Sequence, residues 1–225
     1  MFTGIIETTG EVIAFTPTAG TARLTIAAPS VAARLRKGDS VAVSGVCLTA
    51  LEIEPNASPP RFSADLAAET IARTTLSRLG PGSLVNLELP TPSGSPLGGH
   101  VVQGHVDGAG TLLALDPISP QAHAAGLPTD WVLRLRLPPA LTRYVVEKGS
   151  IAVEGISLTV AGIADDEIWI AILPHTYAAT NLHTLTPGMP MNIEVDVMAK
   201  YAESRQQAEP RKRELTVEAL LANGY

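Results

Sequence analysis

Cysteine is nearly absent from this sequence. The 225 residues include one, Cys47, which permits no internal disulfide and no cysteine-built metal cluster. Long apolar runs are missing as well: the stretch Ile168–Leu173 falls far short of the roughly 20 residues a membrane-spanning helix needs, so a soluble protein without membrane contact is expected. The start, Met1-Phe-Thr-Gly-Ile-Ile-Glu7, has no basic stretch leading into an apolar one; neither a secretory signal nor a transit peptide is read there, and the cytoplasm is the expected location. Positive charge is scarce. With 16 Lys and Arg against 22 Asp and Glu the net charge is −6, a field that opposes a phosphate backbone and argues against nucleic acid as a partner. No glycine-rich segment meets a phosphate-loop or dinucleotide fingerprint. The nearest, Gly104-His-Val-Asp-Gly-Ala-Gly110, lacks the spacing and the strand-turn-helix setting.

What the chain does have is a text written twice. Gly45-Val-Cys-Leu-Thr-Ala50 returns as Gly155-Ile-Ser-Leu-Thr-Val160, an offset of 110 residues. Upstream, Lys37 to Gly45 is matched by Lys148 to Gly155, shorter by one. Glu69 to Leu76 answers His175 to Leu182, and Pro81, Gly82, Asn86 and Glu88 answer Pro187, Gly188, Asn192 and Glu194, all at offset 106. Phe2 to Gly10 answers Val102 to Gly110 at offset 100. Five blocks in one order describe a duplicated domain. The drifting offset predicts about ten extra residues in the second copy around Pro117–Asp130 and about four in the first around Glu54–Arg61, both read as loops. A period this long exceeds any solenoid unit, so each copy has its own core. The chain divides into 1–97, 98–196 and a remainder, 197–225.

Within each copy the apolar pattern is short and alternating, as in Leu84-Val-Asn-Leu-Glu-Leu89 and Trp131-Val-Leu-Arg-Leu-Arg-Leu137. The 19 Gly and 18 Pro supply the turns between such runs, which predicts small antiparallel barrels or sandwiches. Only 67–76 and 174–182 look like short helical turns. Beyond them, Val197, Met198, Tyr201 and Ala202 follow helical spacing until Pro210 ends the segment, and a polar tail with Arg211 to Arg213 follows. That helix reads either as a subunit contact or as a cover for its own barrel.

A strand period of two puts Cys47 and Thr49 on one face of the first motif and Val46 and Leu48 on the other; Ser157 and Thr159 repeat the arrangement. A lone cysteine usually packs as a small apolar residue. A polar pair kept in both copies points instead to two pockets for two like small molecules, made unequal by Cys47 against Ser157. His100 and His105 lie among glycines at the junction of the copies. With Asp107 they offer a metal set, but on a straight strand five residues separate the rings onto opposite faces, so a structural histidine or a proton carrier is the better reading. Lys37, Lys148 and Asp165 to Glu167 read as solvated turn charges.

On these residues the chain resembles the trimeric, alpha-type riboflavin synthases, which are built from two lumazine-binding repeats. The resemblance rests on Met1-Phe-Thr-Gly-Ile5, Gly45-Val-Cys-Leu-Thr49, Gly98-Gly-His-Val-Val-Gln-Gly-His-Val-Asp107, Gly155-Ile-Ser-Leu-Thr-Val160 and Pro174-His-Thr176, and it covers residues 1 to about 200. It implies an all-β fold of two tandem homologous six-stranded antiparallel, Greek-key-like barrels with a C-terminal helix that assembles homotrimers, and an active site shared between the first barrel of one subunit and the second barrel of its neighbour. It implies a dismutation of two 6,7-dimethyl-8-ribityllumazine molecules to riboflavin and 5-amino-6-ribitylaminouracil with no metal or redox cofactor, and association with lumazine synthase as a further partner.

Carried over by position, the first pocket comprises Gly4, Ile5, Ile6, Cys47, Leu48 and Thr49, with Asp65, Leu66, Ala67, Ala68, Glu69 and Thr70. The second comprises Gly104, His105, Val106, Lys148, Ser157, Leu158 and Thr159, with Leu173, Pro174, His175, Thr176, Tyr177 and Ala178. The resemblance makes His105 the proton-transfer candidate and Cys47 with Ser40 the candidates for adding to the acceptor or delivering water to it, while Phe2 packs on the ligand. Ser44 stands where Asn is frequent, Gln103 where Ser is, and Glu154, read as a flank of the second pocket, where Asp or His is; the tail after Gln207 has no counterpart. A lumazine-binding antenna protein without turnover is the alternative. A flavin-reductase-like role would need a nicotinamide-binding domain for which no residues remain.

Overall fold

A computed structural model describes residues 1–208 of the protein; the readings made for Pro210 and for Arg211 to Arg213 lie outside the described residues. Among them the first repeat forms β1 (Thr8–Thr18), β2 (Thr21–Ala27), β3 (Ser40–Val43), β4 (Val46–Glu54), β5 (Arg61–Leu66) and β6 (Leu84–Glu88). The second forms β7 (Gly108–Pro117), β8 (Trp131–Arg136), β9 (Ser150–Val153), β10 (Ile156–Ala164), β11 (Glu167–Ile172) and β12 (Pro190–Val195). Each set closes into an antiparallel barrel, in the orders β1-β2-β5-β4-β3-β6 and β7-β8-β11-β10-β9-β12. Alternation sets the inside: Val46, Leu48 and Ala50 point into the first barrel, and Trp131, Leu133 and Leu135 into the second. A small closed barrel needs sharp bends, and both copies take them at the same places, as register shifts between Val12 and Ala14, Leu112 and Ala114, Ala50 and Ile53, and Val160 and Gly162.

The duplicated helical turns appear as α2 (Ala68–Arg73) and α5 (Pro174–Ala179), each followed by a 3-10 turn. The sequence reading passed over three further short helices, α1 (Pro29–Ala32), α3 (Pro120–Ala124) and α4 (Pro139–Thr142), each with a proline in its first turn. The segment around Pro117–Asp130, read as a plain loop, thus contains α3, whose start is capped by the Ser119 hydroxyl accepting from the Ala122 N–H. The upstream match also needs correction. Gly38 and Lys148 each donate their N–H to equivalent points of β4 and β10, Ala50 O and Val160 O, and both have left-handed backbone, φ 96° and 64°. Lys148 therefore stands in the place of Gly38, and the copies are equal in length here; the shared Lys-Gly pair had drawn the match one residue out of register.

α6 (Val197–Ala208) lies against its own second barrel through Lys200 Nζ on Asp107 Oδ1 at 2.7 Å and Arg143 on Glu203 at 3.1 Å, while Met198 and Tyr201 are exposed. The reading of this helix as a cover for its own barrel thus holds on one side, and Met198 and Tyr201 are left uncovered.

The barrels have separate cores, joined by a third cluster of Phe2, Val102, Ala42 and Ala152. These are pairs of equivalent residues, so the joint has pseudo-twofold symmetry; Phe2 and Val102 exchange main-chain hydrogen bonds of 2.8 and 3.1 Å. On the same axis the β3–β4 turn meets the β9–β10 turn, and a Cβ on Gly45 would come 2.7 Å from Gly155 N. Gly45 also has φ 81°, so it needs glycine for both its conformation and its contact. Gly45→Ala is therefore expected to cost more than the roughly 1–3 kcal/mol of left-handed strain alone. Gly20→Ala, with φ 77° and no neighbour within 4 Å, should cost only that strain; chemical denaturation of the two variants side by side measures the difference.

Candidate functional site

The ladder between β3 and β4 sets Ser40 opposite Thr49 and Ala42 opposite Cys47, all on the outer face. In the second barrel Ser150 faces Thr159 and Ala152 faces Ser157. Cys47 and Ser157 are half-buried and Thr49 and Thr159 exposed, as the period of two requires. Leu48, Leu66 and Leu158 point inward and are buried, so these three can offer a ligand only main chain.

Against these faces lie two arms, the residues just before β1 and just before β7. Gly4 O accepts the Ser157 N–H at 2.7 Å, and Gly104 O accepts the Cys47 N–H at 2.8 Å. A Cβ on either glycine would come 2.6 Å from the Cβ of the residue it touches. The arms have crossed: Ile6 packs on the core of the second barrel and Val106 on that of the first. The main chain of each arm thus lies on the other repeat, a neighbourhood that grouping the candidate residues by repeat did not include. Gly104 adjoins Cys47, and Gly4 adjoins Ser157. The reading of Phe2 is corrected, because it is fully buried between the barrels and presents no surface on which a ligand could pack.

The two histidines do not sit on a straight strand. Residues 98–107 are irregular apart from one bridge at Val102. His100 is buried, with Nδ1 2.7 Å from Ser157 Oγ, and burial pushes its ring below the usual histidine range. His105 is exposed, its position on the arm matching that of Ile5. On the first outer face Cys47 thus meets the main chain of Gly104, the residue before His105, and on the second Ser157 meets His100 and the main chain of Gly4, the residue before Ile5. Asp107 is taken up by Lys200 and by the Val195 N–H at 2.9 Å, and no group of three His, Cys, Asp or Glu suited to a metal ion occurs among the described residues.

The remaining site candidates fall on matched elements. Asp65 is held by Arg23 through bonds of 2.7 and 3.0 Å, which hold its carboxyl below the usual range and make it a poor proton acceptor. Ala67, Ala68 and Thr70 open α2, where the exposed Glu69 pairs with Arg73. Leu173 is exposed before α5, which carries Pro174, His175, Thr176, Tyr177 and Ala178; the Tyr177 ring stacks on Trp131 at 3.8 Å between centroids. Lys148 is exposed on the turn before β9. Ser40 lines a groove of about 660 Å³ with Thr3, Ile5 and Glu88, which brings Ser40 and Ile5 together but does not include Cys47.

Sequence reasoning noticed Asn86, Glu88, Asn192 and Glu194 as repeat markers and gave them no role, because alternation on a strand reads them as solvent-facing. They face outward and are nonetheless buried, beneath the opposite barrel and the arms. Glu88 accepts the Thr3 N–H at 2.6 Å, the Thr3 hydroxyl at 2.7 Å and the Gly4 N–H at 3.0 Å. Glu194 accepts the N–H groups of Gln103, Gly104 and His105 at 2.7, 3.0 and 3.1 Å. Asn86 donates to Glu154 O and Asn181 Oδ1, both at 2.9 Å, and Asn192 donates to Ser44 O at 2.9 Å while accepting the Thr75 N–H at 2.8 Å. Ser44 and Glu154 are thus turn residues of the joint with positive φ, and Glu154 is not a flank of the second pocket. Retention of all four side chains in both repeats was the available signal.

Three comparisons bear on this geometry. The model of the lumazine binding domain matches residues 3–90 and again 103–196. Riboflavin synthase of Mycobacterium tuberculosis is 47% identical over 207 residues, covering 90% of this chain and 96% of that protein, and riboflavin synthase of Actinobacillus pleuropneumoniae is 38% identical over the full length of both. Among solved structures, LumP in complex with riboflavin superposes with a TM-score of 0.76 at 26% identity, covering 87% of this chain and 99% of that one. LumP in complex with 6,7-dimethyl-8-(1'-D-ribityl) lumazine superposes at 0.74.

The joint carries a buried acid on one side only. Glu154 accepts the Asn192 N–H at 2.6 Å and Asn181 Nδ2 at 3.1 Å, and it has no ion-pair partner among the described residues; burial raises its carboxyl above the ordinary 4.5 against the pull of these donors. The folded chain thus holds this proton more firmly than the unfolded one. The associated stability is complete below 4.5 and is lost as pH rises through the raised value. Glu154→Gln sets an amide against two donors, at a cost of about 1–3 kcal/mol at acid pH, and lacks that titration. Its deficit should narrow as pH rises, as read by denaturation across a pH series; a deficit constant in pH would mean that Glu154 does not titrate with folding.

Proposed function

The chain belongs to the lumazine-binding-domain family, and from that membership we infer that it is a riboflavin synthase. It transfers a four-carbon unit between two molecules of 6,7-dimethyl-8-ribityllumazine, releasing riboflavin and 5-amino-6-ribitylaminouracil. One observation carries the reading: two outer faces of the same build, each with an arm of the other repeat lying on it, hold different reactive groups, Cys47 under the arm that carries His105 on one and Ser157 with His100 on the other. A dismutation makes that demand, because chemically identical substrates must leave with different products.

The chemistry requires a proton to be taken from the C7 methyl of one lumazine and a nucleophile to be added at C7 of the other. We assign the proton transfer to His105, which is exposed on its arm, and the addition, direct or through water, to Cys47 with Ser40. Face-to-face holding of the two rings supplies much of the acceleration, since orientation alone contributes roughly 7–11 kcal/mol in favourable cases. We further propose that the working form is a homotrimer in which pockets of adjoining subunits face each other. The exposed Met198 and Tyr201 of α6 support this, being apolar side chains left uncovered on a helix otherwise tied to its barrel.

The likeness to LumP favours a second reading, a binding protein that holds lumazine without turnover. Mixing the purified protein with 6,7-dimethyl-8-ribityllumazine separates the two: growth of riboflavin absorbance and fluorescence supports the synthase, and saturable binding with no product supports the binding protein. Cys47→Ser and His105→Gln are expected to lower kcat by about a hundredfold while changing lumazine affinity little, as for groups that act in the transition state. Sedimentation equilibrium should give a mass of three chains, and Tyr201→Lys should shift it toward one.

A further inference from the structure

The crossed arms need something to hold them, and each is held by one buried carboxylate from its own barrel. Glu194, on β12, gathers three consecutive N–H groups, those of Gln103, Gly104 and His105. Immediately beyond the clamp, Gly104 O accepts the Cys47 N–H, and the glycine main chain sits against the Cys47 side chain at a distance no Cβ would allow. Glu88, on β6, grips Thr3 and Gly4, and Gly4 O accepts the Ser157 N–H. The two clamps are not equal. Glu194 holds the His105 N–H directly, whereas the N–H of the matching Ile5 reaches only the Thr3 hydroxyl, at 3.2 Å.

We propose that Glu194 is the positioning residue for the first pocket, fixing Gly104 and His105 of the second repeat over Cys47 of the first, and that Glu88 does the same for the Ser157 pocket in the opposite sense. The assignment rests on the synthase reading only where it concerns turnover. The arm geometry it invokes exists whatever the chain does. A carboxylate suits the task because it accepts from all three donors and offers none in return. An amide in its place points an N–H at one of them, and the arm loosens there. The wiring is crossed, so a change in the clamp of one barrel is felt in the pocket on the other.

Cys47 is the chain's one cysteine, so alkylation by iodoacetamide reads the first pocket alone. With the full chain, Glu194→Gln should accelerate alkylation of Cys47 by about tenfold, because the segment covering it opens more often. Glu88→Gln should leave that rate within about twofold of the parent while loosening the other arm. Glu194→Asp, which keeps the charge but is one methylene too short to reach all three donors, should fall between and serves if the glutamine variant does not fold. Equal acceleration in the Glu88 and Glu194 variants would mean that the joint merely softens, and an unchanged rate in both Glu194 variants would mean that the carboxylate holds nothing in place; either result overturns the proposal. Alkylation needs no turnover, so it stands or falls apart from the synthase reading. With lumazine as substrate, Glu194→Gln should lower turnover per active site, the sites being counted by saturable lumazine binding, whereas a structural lesion alone would lower the number of sites and leave turnover per site unchanged.

Discussion

Where the two barrels touch, Gly45 and Gly155 lie against each other's main chain, closer than any side chain would permit. A contact between equivalent residues is self-complementary: one turn geometry, written twice, supplies both halves. Bringing the turns this close also buries the outer faces of β6 and β12, which would otherwise lie in water. The polar side chains there must then find partners on the other barrel, and they do: Asn86 bonds to Glu154 and Asn181, and Asn192 to Ser44 and Thr75. A partly docked pair would strand these groups with neither water nor protein, so the joint forms nearly all at once or not at all. The barrels have independent cores, but their outer faces are complete only in each other's presence.

The same closeness explains why the chemistry-bearing faces are composite. An arm that leaves one barrel from the edge of the joint is already beside the other barrel, and Gly4 and Gly104 let the main chain lie on it without a side chain between. Each of these outer faces therefore belongs to one repeat and the arm lying on it to the other. Neither a single repeat nor two detached ones would present Cys47 with Gly104 against it, which is a physical reason for the duplication to remain in one chain.

Much of the fold could be read from the sequence because it follows from period and repetition. Alternation at Val46, Leu48 and Ala50 set the inward face, and shifting offsets marked where the copies differ in length. What escaped the reading lay where tertiary contact overrides a local rule. Asn86, Glu88 and Glu194 alternate with apolar residues as a wet face does, and only the opposite barrel and the arms make them dry. Phe2 looks like a ligand-stacking aromatic until Val102 is seen to pair with it. Lys148 follows Glu147 just as a solvated lysine would, and its place as the structural equivalent of Gly38 shows only in the hydrogen bond to Val160. The crossing of the arms has no sequence signal at all, since a segment's neighbour in space is not written in its composition.

A duplicated backbone treats two like ligands alike, so any unequal treatment has to come from side chains at positions where the main chain is the same. Three such positions stand out: Cys47 against Ser157, His105 against Ile5, and Glu154 against Ser44. The first two pairs lie on the outer faces and arms proposed to receive the two substrates, where a reaction between identical molecules would need the symmetry broken. The third lies on the axis itself, where an acid in both copies would set two buried carboxylates near each other with no cation to separate them. With Glu154 on one side and Ser44 on the other, a single carboxylate draws on the donors of Asn181 and Asn192, and the opposite turn needs only a hydroxyl to meet the Asn86 N–H. Electrostatics on a close-packed axis thus disfavours an acid on both sides. Charge repulsion makes no demand on Cys47 against Ser157 or on Ile5 against His105, and a reaction between two identical molecules would make one.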